Sequence, residues 1–144
     1  MIELKNIVNV IKMQRNNFKM NSSKKKIFIL ILIINSFVLY LLEGIVFNPL
    51  IIWVLLPIYI GYSIVAKAWK TKSRKKLWEG YTFLIVSLSF SYLYHLAWFF
   101  DWDGSKTGGS TAALIFLWGP VWSLFWGYIG YFFASFVKEK LKES

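Results

Sequence analysis

The chain has 144 residues, of which 57% are hydrophobic and 20% aromatic, and its formal net charge is +10. It contains no cysteine, which excludes disulfide bonds and thiolate metal sites. The apolar residues run in long blocks and do not alternate with polar ones, which disfavours an ordinary soluble domain and a β-barrel.

Residues 1–26 are the first predicted element, a basic amphipathic segment. Apolar residues recur every seven positions at Leu4, Ile11 and Phe18, and a lysine follows each of them. This pattern predicts an interfacial helix that lies on the inner surface of a membrane. A helix that docks onto a soluble partner is the alternative.

Four apolar segments follow, and each is about long enough to cross a bilayer core, which takes about 20 helical residues. The predicted spans are 27–47, 49–69, 80–100 and 111–137. Together they predict an all-α integral membrane fold, in which residues 27–137 form a four-transmembrane-helix bundle behind the interfacial helix. Residues 138–144 are predicted to be a basic cytoplasmic tail.

The last segment, 111–137, is longer than one span requires. The Gly119-Pro120 pair predicts a break near 119–120. Ser110 or Thr111 would then cap a short outer helix, and residues 121–137 would form the true span. A single, strongly tilted helix is the alternative.

The basic residues predict the orientation of the chain. All of the 17 Lys and Arg residues except Lys106 lie before residue 27, between residues 67 and 76, or after residue 137. In the four-span arrangement these segments share one side, so the positive-inside rule places both termini in the cytoplasm. Anionic lipid headgroups on that side account for the positive charge, and no nucleic-acid partner is required. The abundance of Ile, Lys and Asn suggests a bacterial source, and hence the plasma (inner) membrane.

The third span carries a candidate polar or pore-lining face. Ser87, Ser91 and His95 are spaced four residues apart and therefore lie on one side of a helix. Asn35, in the middle of the first span, is the fourth candidate for this face. A histidine inside a membrane can pass protons near neutral pH. Hydrogen bonding between packed helices is the alternative for all four residues.

Small residues mark candidate helix contacts. The predicted packing positions are Gly61, Ser123, Gly127, Gly130 and Ala134. Such residues let helix backbones approach closely, either within one protomer or between protomers. Gly61 and Gly130 lie within a short repeat, in which residues 59–62 recur as residues 128–131. This repeat suggests that the first and second pairs of spans are related hairpins.

The outer loop before the last span is a candidate ion site. Asp101 and Asp103 resemble the first positions of a calcium-binding loop. Ser110 and Thr111 would offer hydroxyl groups at a helix N-terminus, where an anion can bind. An internal cap formed by one of the aspartates is the alternative. No bound metal and no cofactor are predicted.

These features predict a small polytopic membrane protein that acts as a non-enzymatic accessory, assembly or protective subunit. A four-helix unit has little interior volume, so a homo-oligomer or a membrane complex is expected. An oligomeric ion or proton channel or transporter that uses the Ser87/Ser91/His95 face is the alternative function. A membrane enzyme acting on a lipid, with His95, Asp101 and Asp103 as its polar groups, is the second alternative.

Overall fold

The computed structural model of the chain describes residues 22–43, 50–108 and 114–143, with side chains in the last range up to residue 137. Within these ranges the fold is helical and contains no strand. The helices are α1 (Ser22–Glu43), α2 (Ile51–Val54), α3 (Leu56–Thr71), α4 (Arg74–Phe99) and α5 (Leu114–Glu143), with a 3₁₀ helix at Trp102–Gly104. The all-helical class is confirmed for these residues. Most of the predicted interfacial helix, Ser110, Thr111 and the side chains of the tail lie outside them.

Two of the helices in the described part of the chain, α1 and α4, are long and apolar enough to cross a membrane. They have 22 and 26 residues, which correspond to about 33 Å and 39 Å at a rise of 1.5 Å per residue. Length and composition alone are a weak indication of membrane insertion, since a buried helix of a soluble protein meets the same condition. The structure therefore supports two apolar spanning candidates and not the full set of four.

The second predicted span is divided at Leu55 into α2 and α3. Pro57 has no N–H group, so the carbonyl of Trp53 accepts a backbone N–H at the helix cap in place of the donor that a regular helix supplies. Leu55 keeps helical backbone angles, and its N–H still bonds to the Ile51 carbonyl at 3.0 Å. The interruption is therefore confined to one residue.

The basic segment 67–76, predicted as a connector, is almost entirely helical. Lysine and arginine are good helix formers, so positive charge alone does not end α3 or delay α4. The actual link is Lys72 and Ser73. Lys72 has a left-handed conformation with φ of 52°, and the Ser73 N–H bonds to the Ala68 carbonyl at 3.1 Å, which closes α3. The Ser73 hydroxyl then accepts the Lys76 N–H at 3.3 Å and caps α4.

The predicted break at Gly119-Pro120 is not found, because α5 is one helix of 30 residues with Pro120 inside it. Pro120 removes one intrahelical hydrogen bond, the one to the Phe116 carbonyl. Its ring is fully buried, so packing supports the helix where that bond is missing. The Trp53 indole also donates to the Leu117 carbonyl at 2.9 Å and ties α2 to this turn. The helical backbone continues past residue 137 into the segment predicted to be a tail.

Helix α4 lies at the centre and packs against α1, α3 and α5. One core cluster contains Leu32, Leu39, Ile58, Val65 and Leu84, and a second contains Val54, Trp98 and Phe116. Helix α1 packs mainly on α4, and an open apolar groove separates it from α2 and α3. The first two predicted spans are therefore not a tightly packed hairpin, unlike α4 and α5.

The predicted small-residue positions are buried against neighbouring helices. A Cβ atom at Gly61 would overlap the side chain of Leu84, so only glycine allows α3 and α4 to approach this closely. A Cβ atom at Gly127 would lie 2.9 Å from the Phe83 ring, which sets the separation of α4 and α5 in the same way. The other buried members on α5 are Ser123, Gly130 and Ala134.

Candidate functional site

Ser87, Ser91 and His95 lie on one buried side of α4. Their exposed fractions are 0%, 1% and 0%. Glu79 continues the same four-residue spacing toward the N-terminal end of α4 and is 3% exposed. These four residues are called the polar face of α4 below.

Glu43, the last residue of α1, faces His95 in the interior. Its side chain is fully buried, and its Oε1 atom lies 3.4 Å from His95 Nε2. The Trp98 indole donates to the backbone carbonyl of Glu43 at 2.9 Å. Both contacts hold the end of α1 against the last turns of α4.

The second ring nitrogen of His95 determines where protons lie in this pair. Nδ1 is 2.7 Å from the Ser91 carbonyl oxygen, and a carbonyl only accepts, so Nδ1 carries a proton. A neutral imidazole and a carboxylate would then place two acceptors, Nε2 and Oε1, against each other. A hydrogen bond between them therefore requires one further proton, either as an imidazolium–carboxylate pair or as a carboxylic acid beside a neutral imidazole.

Aromatic rings enclose this pair. The Tyr94 ring centroid lies 4.3 Å from that of the imidazole, and the Phe116 centroid lies 5.8 Å from it. Trp98 packs on Phe116 at 4.7 Å. The Tyr94 hydroxyl is buried near Ser91 and makes no hydrogen bond of normal geometry with the described residues. The apolar rings lower the local dielectric constant, so the loss of either partner in the pair destabilises the fold more than it would at the surface.

The remaining serines of the polar face make short local or interhelical bonds. The Ser91 hydroxyl donates to the Ser123 hydroxyl of α5 at 3.0 Å. The Ser87 hydroxyl donates to the Leu84 carbonyl of its own helix at 3.3 Å. Phe83, which is fully buried, occupies the position between Glu79 and Ser87. The polar face is therefore interrupted by an aromatic ring.

Asn35 lies apart from the polar face of α4. Its amide nitrogen donates to the Ile31 carbonyl at 2.7 Å, and its amide oxygen accepts the Tyr92 hydroxyl at 2.7 Å. Tyr92 belongs to α4 but points to a different side from Ser91, because adjacent helical residues diverge by about 100°. The structure thus links Asn35 to α4 without bringing it to His95.

Glu79 forms a second buried carboxylate contact at the other end of α4. The Ser135 hydroxyl of α5 donates to Glu79 Oε1, and the Lys75 ammonium lies 4.0 Å from the same oxygen. Tyr131 is also close enough to interact with Glu79. This group ties the N-terminal end of α4 to α5.

In the loop after α4, Asp101 forms hydrogen bonds with Lys106 and Thr107. Its carboxylate accepts the Thr107 hydroxyl at 2.7 Å and the amides of Lys106 and Thr107 at 2.7 Å and 3.1 Å. These hydrogen bonds, the hydroxyl first, lower the pKa of Asp101 below its ordinary value of 3.8. Asp103 has a left-handed φ of 52° and is exposed. In the described part of the chain, no three His, Asp or Glu side chains are grouped to hold a metal ion.

Glu43, Glu79 and Trp98 were not among the site residues predicted from the sequence. One signal was available for Glu43. If α1 and α4 both run toward the outer side, Glu43 and His95 lie at a similar depth, since each is at or near the last turn of its helix. A carboxylate and an imidazole at equal depth in two apolar helices are candidates for a pair. No comparable signal pointed to the buried Glu79–Ser135 contact.

A comparison of the chain with protein-family models, curated proteins and solved structures gives no match. Function is therefore inferred from the chemistry and the surroundings of its own residues.

Proposed function

We propose that the chain is a four-span protein of a bacterial plasma membrane, with both termini in the cytoplasm. In this proposal it acts without enzymatic activity, as an accessory, assembly or protective subunit within a homo-oligomer or a membrane complex. The observation that carries the proposal is the inverted distribution of polarity in the bundle, in which polar side chains lie inside and large apolar side chains lie outside.

The interior polar groups include Glu43, Glu79 and His95, which are buried. The outer surface of α1 exposes Ile33 and Phe37, each at 59%. A soluble protein of this size rarely exposes contiguous apolar surface on this scale, whereas lipid is a favourable solvent for it. The distribution therefore supports insertion in a bilayer.

The two helical segments that do not qualify as spans by hydropathy and length also have features of spans. Together α2 and α3 cover 51–71, a length of about 31 Å at 1.5 Å per residue. Helix α5 carries no charged residue between 114 and 137. Its many Trp and Tyr residues lower its hydropathy, although these residues are well suited to membrane interfaces. Four spans are thus physically reasonable.

The placement of charge supports the proposed orientation. The first turns of α1 and the α3–α4 link lie at the same end of the bundle, where the Lys25 ammonium sits 5.6 Å from the Trp69 ring centroid. This end is called the basic end below. The exposed Asp103 lies at the opposite end. Because basic residues stay on the cytoplasmic side, the basic end is proposed to face the cytoplasm.

The outward face of α5 supports a role in assembly. Its exposed residues follow helical spacing: Phe125, Ile129, Phe133 and Phe136. Aromatic side chains supply large contact areas and are enriched at protein interfaces. The polar groups of the interior, in contrast, are used in contacts between helices of the same chain. This combination favours a subunit that binds through its outer surface over one with a catalytic interior.

The proposal is tested by isolating the protein in native lipid discs and determining the composition of the particles by native mass spectrometry. We expect a homo-oligomer or a stable hetero-complex, and we expect Phe125→Ala combined with Phe133→Ala to dissociate it. Ile33→Ala combined with Phe37→Ala, two comparably exposed residues on α1, is the matched control and should leave the particle intact. A homogeneous wild-type monomer would overturn the proposal.

A second candidate function is proton or ion conduction, and the buried contact between Glu43 and His95 favours it. In this alternative, an oligomer would connect the pair to water on both sides, because Phe83 interrupts the polar face within one chain. Vesicles containing the wild-type protein should then dissipate a pH gradient, and Glu43→Gln and His95→Ala should each slow the dissipation. Flux no greater than that of empty vesicles would eliminate this candidate.

A further inference from the structure

A small cavity opens at the basic end, between α3, α4 and α5. Its volume is about 290 Å³, near the lower limit for small-molecule sites. The residues that line it are Ile64, Lys67, Lys76, Tyr128, Tyr131 and Phe132. We call this feature the Lys67–Lys76 pocket.

The pocket concentrates positive charge from two helices. Lys67 belongs to the last turns of α3 and Lys76 to the first turn of α4, and both are exposed. Neither forms an ion pair with a described residue. The nearby acid, Glu79, is buried and lies against Lys75 and Ser135, which offsets its charge. The two lysines therefore favour an anion at this position.

The same pocket has an apolar side. Ile64 lines it, and the Phe132 ring is 66% exposed at its edge. Tyr128 is 43% exposed, and it also lines the pocket and carries a hydroxyl donor. A site that combines two cations with an exposed aromatic ring matches an amphipathic anion better than a free phosphate ion.

We propose that the Lys67–Lys76 pocket binds the phosphate of an anionic phospholipid, with the acyl chains lying along Phe132 outside the cavity. This inference rests on the proposed insertion in a membrane and adds a discrete lipid site to it. Basic pockets between transmembrane helices on the cytoplasmic side are suited to such headgroups. The pocket differs from the diffuse attraction of the other basic residues, because it combines two cations, a hydroxyl group and an apolar wall.

The test uses the full chain in nanodiscs of equal parts phosphatidylcholine and phosphatidylglycerol. The ratio of the two lipids that stay bound to the released protein is measured by native mass spectrometry. We expect wild type to retain phosphatidylglycerol preferentially. Lys67→Gln combined with Lys76→Gln should lower that preference at least tenfold. Lys70→Gln combined with Lys72→Gln removes the same charge from the same end outside the pocket, and should change the preference less than threefold.

Two results would overturn the proposal. Equal losses in both double variants would mean that only diffuse charge attracts the lipid. Displacement of the bound lipid by millimolar inorganic phosphate would mean that the pocket recognises the phosphate alone.

A thermal melt of each variant in phosphatidylcholine identifies a folding defect, in which case Tyr128→Phe with Lys76→Gln replaces the failed variant. Sedimentation with membranes after carbonate washing tests insertion separately, so failure of the lipid site and failure of the membrane proposal are distinguishable.

Discussion

The Nε2 atom of His95 lies 3.4 Å from the Oε1 atom of Glu43, although the two residues are 52 positions apart in the chain. The contact joins the last residue of α1 to the last turns of α4, and both side chains are inaccessible to solvent. Because Ser91 holds the proton on Nδ1, the pair needs a donor between Nε2 and Oε1. Substitutions that keep a donor there should destabilise the protein much less than those that remove it.

Glu43→Ala should be strongly destabilising, whereas Glu43→Gln should be mild. Alanine leaves Nε2 of His95 without a partner in a buried site, which costs about 1–3 kcal/mol for a neutral group and about 3–5 kcal/mol if the pair is ionised. Glutamine can donate its amide N–H to Nε2, so we expect a loss of about 1 kcal/mol. Unfolding by denaturant in detergent micelles, followed by tryptophan fluorescence, measures both values.

The matched control for this pair is the double variant Glu43→Ala with His95→Ala. Its loss should be well below the sum of the two single losses, because no unpaired polar group remains. Asn35→Ala, which removes the hydrogen bond between α1 and Tyr92 of α4, should cost about 0.6 kcal/mol. Equal effects of Glu43→Ala and Glu43→Gln would contradict the proposed proton arrangement.

Gly61→Ala should weaken the contact of α3 with α4. The new methyl group would overlap the Leu84 side chain, and overpacking of this kind costs about 1–3 kcal/mol. Leu84→Ala opens the space that the methyl group needs, so the double variant should lose less stability than the sum of the two single losses. Ser63→Ala, on the exposed side of α3, should stay within about 0.5 kcal/mol of wild type. The same fluorescence assay applies, and additive losses for Gly61 and Leu84 would argue against the contact.

Thr107→Val should raise the pKa of Asp101 toward its ordinary value. The Thr107 hydroxyl is the largest of the hydrogen-bonding contributions that lower this pKa in the folded loop. A lowered folded pKa means that the loop gains stability from Asp101 above pH 3.8, the ordinary value, and loses it as the pH falls through the folded pKa. Carboxyl carbon shifts of Asp101 in ¹³C-labelled protein report the titration. The Thr71→Val control at the opposite end should leave the titration unchanged.

Single cysteines test the proposed orientation, because the chain has none of its own. Lys106→Cys and Lys70→Cys both place a thiol at an exposed position, at opposite ends of the bundle. An impermeant maleimide added to intact cells should label Lys106→Cys only, and permeabilised cells should show labelling of both. Labelling of Lys70→Cys alone from outside would show that the orientation is opposite to the one proposed. Equal labelling of both cysteines in intact cells would mean that no membrane separates them, which would contradict the proposed insertion.

The helical class of the fold was predictable because long apolar runs leave few alternatives. The helix ends were less predictable. The rule that charge marks the end of a span placed them near residues 69 and 80, whereas α3 and α4 continue through the basic residues as far as the Lys72–Ser73 link. Charge reports the preferred depth of a residue, and backbone geometry is controlled separately by propensity and capping.

The candidate site was only partly predictable for a different reason. The spacing of Ser87, Ser91 and His95 placed them on one face, which depends on helix geometry alone. The pairing of His95 with Glu43 depends on which helices pack together and at what relative height, and a single sequence does not contain that information. The effect of Pro120 on α5 was not predictable for the same reason, because it depends on the packing around the proline ring.

The central position of α4 has a consequence for the order in which the chain is built at the ribosome. Glu43 emerges at the end of α1, more than 50 residues before its imidazole counterpart is synthesised. During that interval the nascent chain carries a carboxyl group destined for an apolar interior with nothing opposite it. Fragments that stop after α3 should accordingly be poor substrates for stable insertion and good substrates for degradation, and arrival of α4 becomes the step that commits the protein to its final arrangement.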